Sequence, residues 1–401
     1  MSSDIPSADV ALARESDQRR IWPDELAFDR SVYGARLDGV REHMERSGLG
    51  AALIFDPENM FWLTGYQTIG YFTFQAMLVT LKARPALITR VVNRDLALAL
   101  PTIERVVPIH DTDEPMAVLA SAVDALGMAR VGFEPSSRYL SVADYFALTE
   151  RVGTTLVPYT APIEEGRRIK SAAELDRMRQ AARAVERGMD DALNAIAPGR
   201  TDNDVAAALH AGCIAAGSEY IGHPPMVVSG ARSALCFALW RRKTIERGDV
   251  VLIEGAAAID RYHVMMSRSA VVGRPTDEQK ATADALIEML ETATEAIQPG
   301  VSAGAVDHIC RERIAQRGYG KYFKSRAAYG IGIGFPPNWS EGHIYAIRPD
   351  DPLVLQENMT FHVIPTIFRE DFGMAISDSV CVTAGGCEVL THYPRDLKVV
   401  D

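Results

Sequence analysis

The spacing of apolar residues changes several times along the chain, and each change predicts an element. A helix is expected around Tyr33–Ser47, followed by strand-like apolar runs at Ala51–Phe55, Ala76–Leu81, Ala86–Thr89 and Arg130–Phe133. Alternating helices and strands of this kind predict an α/β domain ending near residue 160. Residues 1–28 are polar and without clear period, and read as an N-terminal arm that makes an oligomer contact. The expected division is 1–28, 29–160 and 161–401.

The second domain opens on a strong helix start. Ser171-Ala-Ala-Glu174 is a capping box, in which hydroxyl and carboxylate satisfy free amides at the helix end. Leu175, Met178, Ala182, Val185, Met189, Leu193 and Ile196 then recur every three or four residues until Pro198-Gly199 stops the helix. Ala195-Ile-Ala-Pro-Gly199 reappears as Ala296-Ile-Gln-Pro-Gly300, and each copy precedes a short helix that runs to Gly217 or Gly318. Such a duplication predicts two similar halves around one cleft, an α+β domain with pseudo-two-fold symmetry.

Composition narrows the function classes. The chain has 401 residues, 47 % hydrophobic and 24 % charged, as a globular protein does, and its net charge of −11 argues against a nucleic-acid surface. The first twenty residues hold no apolar stretch resembling a signal peptide, and no run of about 18 apolar residues predicts a membrane span. Five scattered cysteines without C-x-x-C pairing suggest reduced thiols and a cytoplasmic location.

Several segments together resemble the creatinase/aminopeptidase P family, whose second domain has the "pita-bread" fold. These are Asn59-Met-Phe-Trp-Leu-Thr-Gly-Tyr66, Ile169-Lys-Ser-Ala-Ala-Glu174, Ser229-Gly, Gly248-Asp249, Gly330-Ile-Gly332 and Asn358-Met359. The resemblance implies a homodimer in which Phe61–Tyr71 helps close the neighbour's cleft, with Trp62 and Tyr66 as candidate ligand contacts. It also implies two metal ions, but the corresponding positions depart from that pattern. The early histidine falls on Phe237, the aspartate ligands on Glu254 and Met265, the histidine ligand on Tyr329 and a shuttle histidine on Pro336. The two glutamate ligands fall on Ile364 and Ser377. Met265 and Ile364 do not suit hard divalent ions, so no metal or other cofactor is expected.

What replaces the metal is read from strand geometry. If Glu254 and Met265 face each other across a hairpin centred near Ile259–Asp260, His263 shares their face. Likewise Ile364 and Ser377 flank a hairpin centred on Glu370–Asp371, and His362 shares the face of Ile364. The expected catalytic set is Glu254, His263 and His362. Tyr329, His223, Phe237, Met265, Ser377 and Glu341 are candidate substrate contacts. A carboxyl group inside the apolar strand Val250-Val-Leu-Ile-Glu254 is costly to bury without a purpose, whereas Tyr329, Trp62 and Tyr66 also fit ordinary core packing. A mononuclear site on Glu254, His263 and His362 is the metal-dependent alternative.

Within the family, the segments Ile253-Glu254, Arg261-Tyr-His263 and Phe361-His-Val-Ile-Pro365 are similar to a metal-free branch that includes ectoine hydrolase and creatinase. That implies hydrolysis of a non-peptide C–N bond in a small zwitterion. The alternatives are a lyase acting on such a compound, an Xaa-Pro peptidase and a non-catalytic binding protein.

Overall fold

The computed structural model describes residues 25–401, so most of the expected arm lies outside the described residues. The chain divides into two compact units between Gly166 and Arg167. The boundary falls a little beyond residue 160 because the helix Ala161–Arg168 begins in the first unit, where the absence of a side chain at Gly166 leaves room for the Trp62 ring.

The first unit is an α/β layer structure. Its six-stranded sheet runs in the order Arg105–Ile109, Ala86–Arg90, Ala76–Thr80, Ala51–Ile54, Arg130–Phe133 and Thr155–Pro158. The helix Arg30–Arg46 buries Tyr33, Leu37, Val40 and Met44, the three-to-four spacing of one apolar face. Ala51–Ile54 is buried along its whole length, which explains why it reads as an unbroken apolar run.

In the second unit the helix Ala172–Asn194 starts at Ser171 with both capping-box hydrogen bonds formed. The duplication is visible in the backbone. Gly199 and Gly300 take φ values of 84° and 86°, open to glycine at little cost, and their amides donate to Ile245 O and Leu355 O at the same 2.9 Å. The helices Asp202–Ala215 and Ala303–Gln316 follow, each pairing with the long helix before it.

A ten-stranded sheet carries the site. Its order is Gly386–Val389, Asp378–Thr383, Thr360–Val363, Ala328–Phe335, Tyr262–Val272, Val250–Ile259 and Met226–Ser229. Tyr262–Val272 pairs with Ala328–Phe335 only at Tyr262–Ile333, and further along meets Ser377 through Ser267. Glu254, Ser267, Tyr329 and His362 lie on the strands that meet at these two pairings, and Ser377 lies at the second of them. Among the described residues no helix is long and apolar enough to cross a membrane.

Candidate active site

Glu254 lies in the hairpin Val250–Ile259/Tyr262–Val272, whose register differs from the expected one. Ile259 pairs with Tyr262 around a two-residue turn, Asp260-Arg261, with φ values of 48° and 65°. Both residues having positive φ is the geometry of tight hairpins, usually built with Asn or Gly. Here the Glu219 carboxylate accepts from both turn amides, at 3.0 and 3.3 Å, and the Arg261 guanidinium donates to Gly334 O and Tyr220 O. Glu254 consequently opposes Ser267, and Met265 opposes Ala256. A shift of two residues preserves the face of every side chain, so Glu254, Met265 and His263 still share one face of the hairpin.

Four residues form a connected chain. Tyr329 and His362 are direct cross-strand partners, with Tyr329 Oη 2.7 Å from His362 Nδ1. His362 Nε2 lies 2.7 Å from Ser377 Oγ, and Tyr329 Oη lies 3.5 Å from Glu254 Oε1. Trp339 Nε1–H donates to the same Tyr329 oxygen at 3.3 Å. The hairpin centred on Glu370–Asp371, with Thr366 opposite Ala375, brings Ser377 to this position as expected.

Electrostatics fixes the resting protons. Glu254 is 3 % exposed, and burial raises its carboxyl to about 8, offset in part by the Tyr329 hydroxyl. Burial, with the Arg268 charge added, lowers His362 to about 3. At neutral pH both are uncharged. The Tyr329 hydroxyl donates to Glu254 Oε1, and the neutral His362 ring donates through one nitrogen and accepts through the other in its contacts with Tyr329 and Ser377. Burial also keeps Tyr329 well above the ordinary phenol range.

His263 does not join this chain. The Gly222 amide donates to its Nε2 at 3.0 Å, so Nδ1 carries the proton and donates to Arg261 O at 2.8 Å. Both nitrogens hold backbone, burial drives its basicity far down, and it opposes Ala258, about 13 Å along the strand from Glu254. Its geometry is that of a strut for the 218–224 loop, not of a proton donor to the site. The mononuclear triad on Glu254, His263 and His362 fails for the same reason.

Glu341 is a second correction. It is fully buried and accepts from Arg167 at 2.9 Å and Lys170 at 2.6 Å. Burial alone would raise its carboxyl, but these two cations outweigh it and hold the group below the usual carboxylate range. A carboxylate already held by two cations is a structural tie, not a ligand contact.

The other candidates divide by position. His223 packs its ring on Trp339 at 3.4 Å and, with Trp240, His210, Tyr220 and Ala256, lines a cavity of about 630 Å³. Ala256 is two residues from Glu254 on the same strand, and none of Glu254, Tyr329, His362 and Ser377 lines this cavity. Met265 is buried, its amide and carbonyl both held by Ser379 Oγ. Phe237, by contrast, is 78 % exposed with φ of 62°, a strained backbone for a bulky residue. Trp62 and Tyr66 are buried core residues of the first unit, the former under the Arg36 guanidinium and the latter bonded to Gln75.

The metal donor set implied by the resemblance does not fit a dinuclear centre. Glu254 is the one carboxylate at those positions, and Tyr329 and Ser377 are hydrogen-bonded into the chain through His362. Among the described residues no group of three or more His, Cys, Asp or Glu converges as metal ligands would.

Sequence reasoning missed Ser267, opposite Glu254. The Asp260-Arg261 turn was the available signal, since a two-residue loop there places Ser267 across from Glu254 directly.

Comparison with known proteins agrees with this architecture. Residues 176–384 match metallopeptidase family M24, and residues 36–169 match the creatinase/prolidase N-terminal domain. The chain is 29 % identical over 395 residues to ectoine hydrolase of Halomonas elongata, covering 93 % of this chain and 98 % of that protein. It is 31 % identical over 236 residues to an Xaa-Pro dipeptidase of Pyrococcus horikoshii, covering 59 % and 66 %. The crystal structure of the Pyrococcus horikoshii prolidase superposes with a TM-score of 0.80 at 26 % identity, covering 90 % of this chain and 99 % of that one.

Proposed function

The chain belongs to metallopeptidase family M24, and from that premise we propose a hydrolase that works without the family's metals, cleaving a non-peptide C–N bond of a small zwitterionic compound. The observation that carries the reading is the Glu254–Tyr329–His362 connection around a carboxyl raised to about 8. A carboxyl poised near neutrality exchanges protons efficiently in both directions. The near full-length similarity to an ectoine hydrolase supports a cyclic amidine or related compound as substrate.

A cationic centre on the substrate favours ionised Glu254. Tyr329 Oη donates to Glu254 Oε1 and steadies the carboxylate once its proton has left to solvent. Glu254 then either takes a proton from the water that attacks the carbon of the C–N bond, or attacks that carbon itself to form an ester that water hydrolyses in a second step. The bonding pair leaves with nitrogen, which takes its proton from Glu254 in the first case and from water in the second. The apolar cavity beside Ala256 accepts the rest of a compact substrate.

The reading is tested by thermal shift against ectoine, hydroxyectoine, creatine, dimethylsulfoniopropionate and an Xaa-Pro dipeptide. A ligand at 100 times its dissociation constant stabilises by about 2.7 kcal/mol. A shift with ectoine, hydroxyectoine or creatine is expected; a shift with the dipeptide alone returns the chain to the peptidases.

A further inference from the structure

The floor of the site contains one polar side chain that the proton chain does not use. Ser267 lies directly across from Glu254 and is bridged on its other side to Ser377. Cross-strand neighbours on one face have Cβ atoms about 4.5–5.5 Å apart, so Glu254, Ser267 and Ser377 form a row of three. Tyr329 and His362 close this row into a ring by linking Glu254 to Ser377. Ser267 is the fully buried member of this ring whose Oγ has no hydrogen-bond partner among the described residues.

The position is rigid. The Ser267 carbonyl accepts from the Ser377 amide at 3.1 Å and from Arg268 Nη1 at 2.8 Å, and Arg268 also ties down Ser377 O and Asp378. Its strand neighbours Met265 and Met266 are apolar and equally buried, so packing there does not call for a hydroxyl. A buried hydroxyl left unpaired opposes folding and is retained where a ligand meets it.

We propose that Ser267 is a substrate-positioning residue, whose Oγ hydrogen-bonds a polar atom of the group carrying the scissile C–N bond and holds that group against Glu254. This rests on the hydrolase reading above. A hydroxyl both donates and accepts, which suits an amide or amidine, whose nitrogen and acceptor atoms need one partner of each kind. It suits a carboxylate less, and the neighbouring guanidinium that would bind one, Arg268, is committed to Asp378 and to the carbonyls of Ser267, Ser377, Tyr393 and Pro394. The substrate therefore enters with its C–N end toward Ser267 and its carboxylate away from the floor.

The test compares wild type with Ser267→Ala, Ser267→Thr and Glu254→Gln. The full chain is assayed for ectoine hydrolysis and for its thermal midpoint without ligand. Ser267→Ala is expected to melt at or above wild type, because it removes an unpaired buried hydroxyl, while kcat/KM falls about 10- to 100-fold. Ser267→Thr, which keeps the hydroxyl, restores most of that loss. A midpoint several degrees lower in Ser267→Ala overturns the proposal by revealing a structural partner, and an unchanged kcat/KM overturns it by showing that substrate does not touch Ser267. Failure of the hydrolase reading looks different: Glu254→Gln stays active, or wild type leaves ectoine intact. In the second case the unliganded midpoint still decides between an unpaired hydroxyl and a structural one.

Discussion

Replacing Glu254 with Gln should stabilise the protein relative to wild type by a margin that grows as the pH rises. A carboxyl raised from 4.5 to about 8 is protonated in the folded protein over a range where the unfolded chain has already ionised. Below pH 4.5 both states hold the proton, so the carboxyl costs the fold nothing relative to an amide. Between pH 4.5 and 8 the unfolded state binds fewer protons at this position, so wild-type stability falls with pH relative to that of the Gln variant. At 1.36 kcal/mol per unit, the gap in favour of Gln is about 1 kcal/mol at pH 5, about 3 at pH 7 and about 5 at pH 9. Burial of Glu254 is nearly complete, so solvent screening does not reduce these figures appreciably. Urea unfolding of both proteins at the three pH values measures the gap directly, because all other titrations cancel in the difference. A gap that stays flat from pH 5 to 9 refutes the raised carboxyl. One that changes sign in favour of wild type at high pH indicates a carboxylate stabilised by an ion pair, contrary to the structure.

Tyr329→Phe removes the hydroxyl that links Glu254 to His362 and should lower kcat by about 10²- to 10³-fold with little change in KM, read from steady-state kinetics on ectoine. Glu341→Gln leaves Arg167 and Lys170 buried without their shared carboxylate and should cost about 3–5 kcal/mol of stability in urea unfolding. That loss should far exceed any effect of Phe237→Ala, whose side chain is mostly exposed.

The elements that sequence revealed were those specified locally. The Ser171–Glu174 capping box, the strand-like run Arg130–Phe133 and the paired Pro-Gly stops each depend on residues a few positions apart, and each appears where expected. The direction of Glu254 was legible because strand side chains alternate, and it survived a register error of two residues. The error came from the Asp260-Arg261 turn, whose positive φ values are held by Glu219, forty residues away. The roles of the histidines were not legible for the same reason. Nothing near His263 announces that Gly222 and Arg261 O will occupy its nitrogens, and nothing near His362 announces Tyr329 on one side and Ser377 on the other. Glu341 looked available on a loop because its cations lie some 170 residues earlier in the chain. Inward direction is a property of the strand, whereas a group's hydrogen-bond partners are a property of the whole fold.

The central claim is that Glu254 and its hydrogen-bonded neighbours carry out C–N hydrolysis without a metal. The most direct measurement is NMR of ectoine incubated with wild type and Glu254→Gln, each dialysed against EDTA and assayed with and without added Mn²⁺, Co²⁺ or Zn²⁺. The account predicts full hydrolysis by chelated wild type, no stimulation by any metal and no product with the Gln variant. Activity that appears only after a divalent metal is restored, or that persists in Glu254→Gln, contradicts it.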